Sequence, residues 1–404
     1  MIAESIHFAR TNNGWRSEAK VSATGTLKPE STIHFDVDHA LVPPEAAGDP
    51  WLAALLVPAM FAGEGLEIQA PVSQRLARTA HEVQRVLHSW YPNLLQLVPI
   101  TARSVVSSAA HDEAGPAAAF FSGGVDSWFS LLQGRDRISA LITVKGFDIP
   151  YSDTTVWGDL KAANQSIARE LGRELITVET NLREHVDPDG GSFQRRYQGD
   201  FWGECFHGAC LAAVGLLLQQ SFSSVIVPSS WQYERLQPWG SHPLLDSLWS
   251  NGRVEFVHDG AHANRLQKIQ ALAEHDFALR HLRVCPCYRP GVYNCGQCEK
   301  CRRTMLALRL FGALPRCPTF DRPLDLRAFE LDPPKPYLYP VYREMLAQAE
   351  KGNDAELVRT LRLLVGDAWS PRRGWHRWSE RMKRSASKRW RRLSKSPRHA
   401  NENP

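Results

Sequence analysis

The chain has 404 residues, a formal net charge of +5, and an ordinary balance of apolar (43%) and charged (23%) residues. This length suffices for two or three domains with their own cores, and the composition is that of an ordinary soluble globular protein. No segment approaches the roughly 18–20 consecutive apolar residues of a spanning helix. The first ten residues also lack the basic-then-apolar order of a signal peptide, so we expect a cytoplasmic location.

The charge is unevenly distributed along the chain. Residues 371–404 contain 12 Lys and Arg but only 2 Asp and Glu, whereas the rest contains 36 basic and 41 acidic residues. A mildly acidic body with a strongly basic end indicates that the end has its own interaction partner.

The first 110 residues have the pattern of a small α+β domain. Alternating polar and apolar residues predict strands, as at 31–38, and apolar residues at helical spacing predict helices over 51–62 and 72–91. No catalytic signature is present in this region. Residues 107–116, rich in Ala, Gly and acidic residues, form a predicted linker.

From residue 117 predicted strands alternate with predicted helices. The strands are expected over 117–121, 138–144, 175–179 and 224–228. The helices are expected from about Asp126 and over 154–171 and 204–220. This alternation predicts an α/β fold, a parallel sheet with helices on both faces. Ligands of such sheets bind beyond the carboxyl ends of the strands.

The most informative residues form a loop directly after the first of these strands: Ser122, Gly123, Gly124, Val125, Asp126 and Ser127. The two glycines can adopt positive φ and let backbone N–H groups approach a phosphate at the start of a helix. Asp126 would repel a phosphate unless a cation lies between them, so it is a candidate Mg²⁺ ligand. A simple strand-to-helix turn is the alternative, but five specified residues in this context favour a nucleotide-binding loop.

The pattern Ser-Gly-Gly-x-Asp-Ser resembles the PP-loop signature of the N-type ATP pyrophosphatases, a superfamily that includes 7-cyano-7-deazaguanine synthase and tRNA-thiolating enzymes. The resemblance implies an adenine nucleotide alpha-hydrolase-like fold and a loop that holds the pyrophosphate part of ATP. It also implies that adenine contacts main-chain groups at the end of the second strand, here Val144, Lys145 and Gly146. No Gly-Lys-Ser/Thr follows the glycines, which argues against a Walker loop.

Five of the eight cysteines lie within residues 285–301. Cys295, Cys298 and Cys301 are separated by two residues each, and either Cys285 or Cys287 can supply a fourth thiolate. We favour Cys285, because a mainly apolar stretch directly precedes it. Four thiolates suit structural Zn²⁺ and leave no open position for catalysis; an iron–sulfur cluster or reduced, buried thiols are the alternatives.

The cysteine arrangement resembles the zinc site of 7-cyano-7-deazaguanine synthase, in which one cysteine precedes a run of three. That family separates the first cysteine from the second by eight residues. Here Cys287 leaves seven and Cys285 leaves nine, so the spacing differs in both cases.

Two further candidates lie before the cysteines. His242 follows a predicted strand in a loop rich in Pro and Gly, where it can meet a substrate or belong to a simple turn. Arg265 and Lys268 share a face of a predicted helix, which can hold a phosphate or carboxylate, or can be solvated. We take His242 and Lys268 as candidate catalytic residues beside Asp126 and Ser127.

The basic end of the chain has amphipathic character. Pro371 is a good helix start, and Trp375, Trp378 and Trp390 fall on one apolar helical stripe, while Arg and Lys fill the rest of the helix. An anionic membrane surface or an RNA backbone would suit such a helix. A solubilising, disordered tail is the alternative.

Together these features predict an enzyme that converts ATP to AMP and pyrophosphate, with ATP, Mg²⁺ and Zn²⁺ as ligands. A carboxylate or carbonyl of a small molecule or glycan precursor would be adenylated, and a nitrogen or sulfur nucleophile would displace AMP. The predicted organisation is an N-terminal domain (1–110), an ATP pyrophosphatase domain (117–320) with the cysteine site (285–301), a helical extension (321–369) and the basic tail (370–404).

Two alternatives stay within the superfamily, namely tRNA thiolation and amidotransfer to a sugar or glycan. Thiolation requires a reactive cysteine outside the metal site, for which Cys205, Cys210 and Cys317 are the candidates. Cys205 lies near His207, but the predicted helix around them is otherwise apolar and free cysteines are usually buried. A non-catalytic ATP- or RNA-binding module is the alternative from another class.

Overall fold

The computed structural model describes residues 1–24, 30–107, 115–134, 136–186, 199–287, 289–331, 334–335 and 338–365. The chain divides into two compact units, Met1–Pro323 and Leu324–Pro404. The candidate site lies in the first unit.

A ten-stranded sheet runs through the first unit. Its strands are β1 Ile2–Thr11, β2 Gly14–Ser22, β3 Glu30–Val37, β4 Leu66–Ser73, β5 Ile100–Val106, β6 Ala117–Phe120, β7 Ile138–Lys145, β8 Glu174–Thr180, β9 Ser224–Pro228 and β10 Glu255–Asp259. Their order across the sheet is β10-β9-β6-β7-β8-β3-β2-β1-β4-β5. Most neighbouring pairs are parallel, and the predicted α/β class is confirmed.

Helices connect most of these strands. Those of the first unit are α1 Asp49–Ala62, α2 Gln74–Trp90, α3 Val125–Gln133, α4 Thr154–Glu170, α5 Leu182–Val186, α6 His207–Leu217, α7 Pro243–Asp246, α8 Arg265–Ala273, α9 Asp276–His281 and α10 Glu299–Leu310. One turn of π-helix, Trp202–Phe206, leads directly into α6. Among these helices, α1 packs against α6 and α2, and α3 packs against α8.

The direction of winding reverses between β6 and β9. The chain passes from β6 to β7 and β8 on one side, and then returns to place β9 and β10 on the other side of β6. Open α/β sheets bind ligands beyond the carboxyl ends of the strands at such a reversal. Sequence periodicity predicted β6 to β9 but missed β10, a short edge strand whose outer residues Glu255 and Val257 are exposed.

The N-terminal strands continue the same sheet. β3 pairs antiparallel with β8, so the region expected as a separate α+β domain belongs to the unit that contains β6 to β10. The physical reason is that β8 would otherwise present an open edge. Helix α1 is buried along almost its whole length, and its Asp49 carboxylate accepts hydrogen bonds from the Ser73 N–H and from Asn251 Nδ2.

Two predicted segments fall largely or wholly outside the described residues. Of the predicted linker 107–116, residues 108–114 are not described, and none of the basic tail 370–404 is. The predicted helical extension, residues 321–369, contains α11 Ala328–Leu331, α12 Tyr339–Ala349 and α13 Ala355–Val365. Within the described residues, no helix combines the length and apolar character needed to cross a membrane.

Candidate functional site

The loop after β6 lies at the reversal point of the sheet. Gly123 has φ of +74°, which favours glycine, and a Cβ there would lie 3.4 Å from the Arg283 Cβ. Gly124 is the N-cap of α3, and no side chain caps the helix. The side chain of Val125 is buried in the core, so this residue can offer a ligand only its backbone. The first turn of α3 thus retains N–H groups for an anion.

Two serines close the loop on itself. Ser122 Oγ accepts a hydrogen bond from the Gly124 N–H at 3.3 Å and lies 3.5 Å from Ser127 Oγ. Ser127 Oγ donates to the Gly124 carbonyl at 3.0 Å. These contacts hold both hydroxyls on the inner side of the loop, beside the start of α3.

A buried asparagine supports the loop from below. Asn164 of α4 is fully buried, and its Nδ2 donates to Thr143 Oγ1 at 2.9 Å and to the Phe121 carbonyl at 3.4 Å. Its Oδ1 is buried without a hydrogen-bond partner and would lie 3.8 Å from a Cβ on Gly123. Unpartnered buried acceptors are uncommon in folded proteins, and this one points to the loop.

The carboxylate of Asp126 binds two cations of α8. Its Oδ1 lies 3.0 Å from Lys268 Nζ, and its Oδ2 lies 3.1 Å from an Arg265 guanidinium nitrogen. Burial would raise the pKa of Asp126, but the charges of Arg265 and Lys268 outweigh it and lower the pKa. Arg265 and Lys268 thus share one face of a helix, as predicted, and both contact Asp126 of the loop.

The two cations differ in their access to a ligand. Lys268 is only 2% exposed and also donates to the Ser229 carbonyl at the end of β9, at 2.6 Å. Arg265 is 19% exposed, so it is more open to the crevice. Lys268 therefore ties α8, the loop and β9 together at the reversal point.

Lys300 at the start of α10 adds a cation that the sequence analysis did not identify. Its side chain is exposed to solvent, and α10 packs against α8, which carries Arg265 and Lys268. Burial, followed by the charge of Arg265, lowers the pKa of Lys300, and the carboxylates of Asp126 and Asp148 oppose this shift. Asp148 follows β7 and accepts a hydrogen bond from Trp202 Nε1 at 3.1 Å. These residues come from five separate segments, so no local motif reveals them.

His242 has a local structural role. Its Nδ1 accepts a hydrogen bond from the Leu244 N–H and caps α7, and its ring packs edge-on against Trp90. Burial lowers the pKa of His242. The neighbouring Asp246 is also buried and accepts hydrogen bonds from Ser241 Oγ and His258 Nδ1, both at 2.7 Å. This segment is a buried polar network in which His242 caps α7, and a catalytic role for His242 stays a prediction.

The residues proposed to meet adenine lie at the end of β7. Val144 pairs with Val178 of β8, and Lys145 Nζ lies 3.0 Å from Glu179 Oε2. Gly146 has φ of +95° and its N–H already donates to the Ile149 carbonyl. Close packing requires a glycine at position 146, because a Cβ there would lie 1.8 Å from a backbone oxygen of β8.

Four cysteines form a compact thiol cluster. The Sγ atoms of Cys285, Cys295, Cys298 and Cys301 lie within 4.8 Å of one another. The pairs Cys285–Cys298 and Cys295–Cys301 are each 3.9 Å apart, close to the roughly 3.8 Å expected around a tetrahedral ion with Zn–S bonds of about 2.3 Å. Hydrogen bonding with Cys301 lowers the pKa of Cys298 to about 5. The donor set fits a metal ion such as zinc.

Cys287 lies beside this cluster and not within it. Its backbone N–H donates to Cys285 Sγ at 3.4 Å, while its own sulfur is not one of the four. Backbone N–H groups of Cys298 and Cys301 likewise donate to the sulfurs of Cys295 and Cys298. Such N–H···S bonds stabilise thiolates around a metal.

The thiol cluster is connected to the loop after β6. Asn294 is fully buried; its Oδ1 accepts from the N–H groups of Val284 and Cys285, and its Nδ2 donates to the Leu282 carbonyl. The Arg283 N–H in turn donates to the Gly123 carbonyl at 2.8 Å. The segment that carries the first cysteine therefore packs directly on the loop.

The other cysteines are inaccessible. Cys205, Cys210 and Cys317 are buried, and burial raises the pKa of each thiol. A neutral, buried thiol is a poor nucleophile.

Comparisons of this chain with protein-family models, with characterised proteins and with solved structures found no match. The function is therefore inferred from the geometry and chemistry of the site.

Proposed function

We propose that the protein is an ATP pyrophosphatase of the PP-loop type, which adenylates a substrate and releases pyrophosphate. The observation that carries the proposal is the combination of an uncapped helix start with a glycine at positive φ, placed where the winding of the sheet reverses. Both features favour a phosphate at this position. The order β8-β7-β6-β9-β10 is compatible with an adenine nucleotide alpha-hydrolase-like fold, which we propose for this half of the sheet.

In this proposal the loop and the surrounding cations together stabilise the negative charge of the pyrophosphate. The first N–H groups of α3 and the hydroxyls of Ser122 and Ser127 hold its oxygens. Arg265 and Lys300, which lie on the packed helices α8 and α10, would stabilise the charge that develops as pyrophosphate leaves. Lys268, being buried, keeps Asp126 in position. Mg²⁺ would bind the phosphates of ATP, and Asp126 is not required as its ligand, because Arg265 and Lys268 already balance this carboxylate.

The thiol cluster is proposed to hold structural Zn²⁺. Four thiolates complete a tetrahedron and leave no open position for a substrate. Through Asn294 and Arg283 the ion would stiffen the segment that packs on Gly123. The metal thus supports the nucleotide loop without taking part in the chemistry.

The alternatives differ in how well the contacts support them. Thiolation through a protein cysteine is disfavoured by the burial of Cys205, Cys210 and Cys317. Amidotransfer to a sugar or glycan shares the adenylation step and differs only in the acceptor. A non-catalytic ATP- or RNA-binding module would bind the nucleotide at the same loop without turnover.

Asp126→Asn tests the proposal, because it removes the charge and preserves the size of the side chain. We expect ATP–pyrophosphate exchange, measured with the full-length protein in a small-molecule cell extract, to fall by at least about 10²-fold. The exposed Asp136→Asn, ten positions along the chain, is the matched control and should exchange at the wild-type rate. Circular dichroism should give the same spectrum for all three proteins.

Two outcomes would count against the proposal. Undiminished exchange in Asp126→Asn would remove the loop from the mechanism. Saturable ATP binding without exchange or AMP formation by the wild type would favour the non-catalytic binding module.

A further inference from the structure

A cavity of about 270 Å³ lies between α3, α4 and α9. Its lining includes Leu171 and Arg173, which belong to the turn between α4 and the start of β8. This part of the cavity is therefore at the amino end of a strand, whereas the loop after β6 lies at the carboxyl ends. The volume is close to the roughly 300 Å³ at the lower end of small-molecule sites, so it suits a ligand much smaller than ATP.

The walls of the cavity are apolar. They are formed by side chains of the three helices and of the turn after α4, namely Trp128, Leu131, Leu132, Leu171, Phe277 and Ala278. Trp128, Leu131 and Ala278 are at most 4% exposed. The rings of Trp128 and Phe277 lie 5.8 Å apart in an edge-to-face arrangement. Such walls favour a ligand with a large apolar or aromatic group.

The other lining residues are polar and include charges of both signs. Glu170 is the last residue of α4, Arg173 follows it by three positions, and His275 directly precedes α9. Glu170 is 53% exposed and Arg173 is half-buried, so both charges are at the rim of the cavity. A ligand that pairs with both must carry a positive and a negative group close together.

The neighbours of Glu170 leave its charge available to a ligand. The Nε2 atom of His281 lies 4.0 Å from Glu170 Oε1. Burial lowers the pKa of His281, although Glu170 opposes this shift, so the histidine is mainly neutral near pH 7. Ser166 Oγ donates one hydrogen bond to Glu170 Oε1 at 3.4 Å, and a carboxylate accepts several. Arg173 has five N–H donors, which suffice for a carboxylate beside other partners.

We infer that this cavity binds a free amino acid with a large apolar side chain. Glu170 binds the ammonium group, Arg173 binds the carboxylate, and the apolar walls bind the side chain. In a free amino acid the two charged groups and the side chain start from one carbon atom. This arrangement matches two charged residues three positions apart at the rim of an apolar cavity.

The walls of the cavity contact the loop after β6 from two directions. The Trp128 N–H donates to the Gly124 carbonyl at 2.9 Å, and the Trp128 ring lies edge-on, 5.1 Å from the ring of Phe121. On the other side α9 leads to Arg283, whose N–H donates to the Gly123 carbonyl at 2.8 Å. A bound amino acid therefore restrains the loop. Regulation of ATP turnover in this way rests on the proposed function, whereas the binding itself does not.

Calorimetric titration of the full-length protein tests the class of ligand. L-Phenylalanine should bind in a saturable manner. 3-Phenylpropanoate lacks the ammonium group and 2-phenylethylamine lacks the carboxylate, so each should bind at least about 10-fold more weakly, because one charge at the rim stays unpaired. Equal affinity for either analogue would overturn the inference, as would the absence of saturable binding of phenylalanine, leucine and tryptophan.

Substitutions at the rim test whether the ligand binds in this cavity. Glu170→Gln and Arg173→Gln each remove one charge and should weaken phenylalanine binding by at least about 10-fold. Glu274→Gln and Arg169→Gln are the matched controls, because each residue is exposed and directly precedes a lining residue without lining the cavity itself. Both controls should bind as the wild type does. Unchanged affinity in both rim variants would refute the site.

The analogues also separate recognition from a general loss of structure. In Glu170→Gln, phenylalanine should lose its advantage over 3-phenylpropanoate, because the partner of the ammonium group is gone. In Arg173→Gln, it should lose its advantage over 2-phenylethylamine. Weaker binding of all three ligands with unchanged preferences would refute the roles of Glu170 and Arg173.

Hydrogen–deuterium exchange measured by mass spectrometry tests the contact with the loop. Bound phenylalanine should slow amide exchange in residues 121–132 and 276–284, which contain the loop and two walls of the cavity. Residues 74–90 of α2 do not line the cavity and are the control. Protection confined to other segments would overturn the assignment. These measurements need no ATP turnover, so their failure is distinguishable from a failure of the proposed function.

Discussion

In the fold, Asp126 contacts other groups than its motif suggests. The sequence interpretation treats it as a Mg²⁺ ligand facing phosphate, whereas its oxygens lie 3.0 and 3.1 Å from Lys268 and Arg265. A carboxylate neutralised in this way no longer repels an anion at the loop. The helical spacing of Arg265 and Lys268 was visible in the sequence, but the identity of their partner was not.

Whether Cys285 or Cys287 is the fourth metal ligand can also be tested with single substitutions. Cys285→Ser removes one of the four sulfurs, so zinc measured by atomic absorption should fall from about one ion per chain to a small fraction. Cys287→Ser is the matched control and should retain the metal, because this thiol only neighbours the cluster. Metal loss in Cys287→Ser with full retention in Cys285→Ser would reverse the assignment.

At the scale of elements, the junction of β3 with β8 decides the role of the first 110 residues. The register Phe35↔Thr180 to Val37↔Val178 joins the N-terminal strands to the parallel half. The Asp38 side chain accepts hydrogen bonds from the backbone and the hydroxyl of Thr177, and α1 covers α6. Periodicity predicted these helices and strands individually, but a shared sheet depends on pairing between residues more than 130 positions apart.

Deleting residues 1–106 should therefore prevent stable folding of the rest. The truncation would expose the edge of β8 and the apolar face of α6, both of which favour aggregation. We expect the truncated protein to elute as aggregates in size-exclusion chromatography and to lose cooperative thermal unfolding. A monomeric product with a sharp unfolding transition would instead show that the N-terminal region is an independent domain.

At the scale of the whole molecule, the charge distribution separates a mildly acidic body from a basic end. The end lies outside the described residues, so its amphipathic pattern stays a prediction from the sequence. Its partner is proposed to be an anionic membrane surface or RNA, because both offer a dense negative charge.

Deleting residues 371–404 should weaken binding to anionic vesicles in a flotation assay or to RNA in a filter assay. Vesicles of neutral lipid are the control, and neither protein should float with them. Exchange activity should persist, since the deletion leaves the first compact unit intact. Equal binding of the full-length and truncated proteins to both anionic partners would exclude an interaction through the tail.

The sequence alone determined the features that depend on near neighbours in the chain. Strand and helix alternation gave β6 to β9 and the α/β class, because side-chain periodicity reflects burial on a sheet or helix. The loop at residues 122–127 and the three closely spaced cysteines were likewise evident, since their geometry comes from adjacent residues.

Only the tertiary structure decided what depends on distant segments. It joined the N-terminal strands to β8, paired Asp126 with α8, chose Cys285 over Cys287, and gave His242 a capping role. It also brought Asp148 into hydrogen-bonding contact with Trp202, 54 positions away in the chain. The reason is that charge pairing and cavity shape depend on distances through space, which local periodicity does not encode.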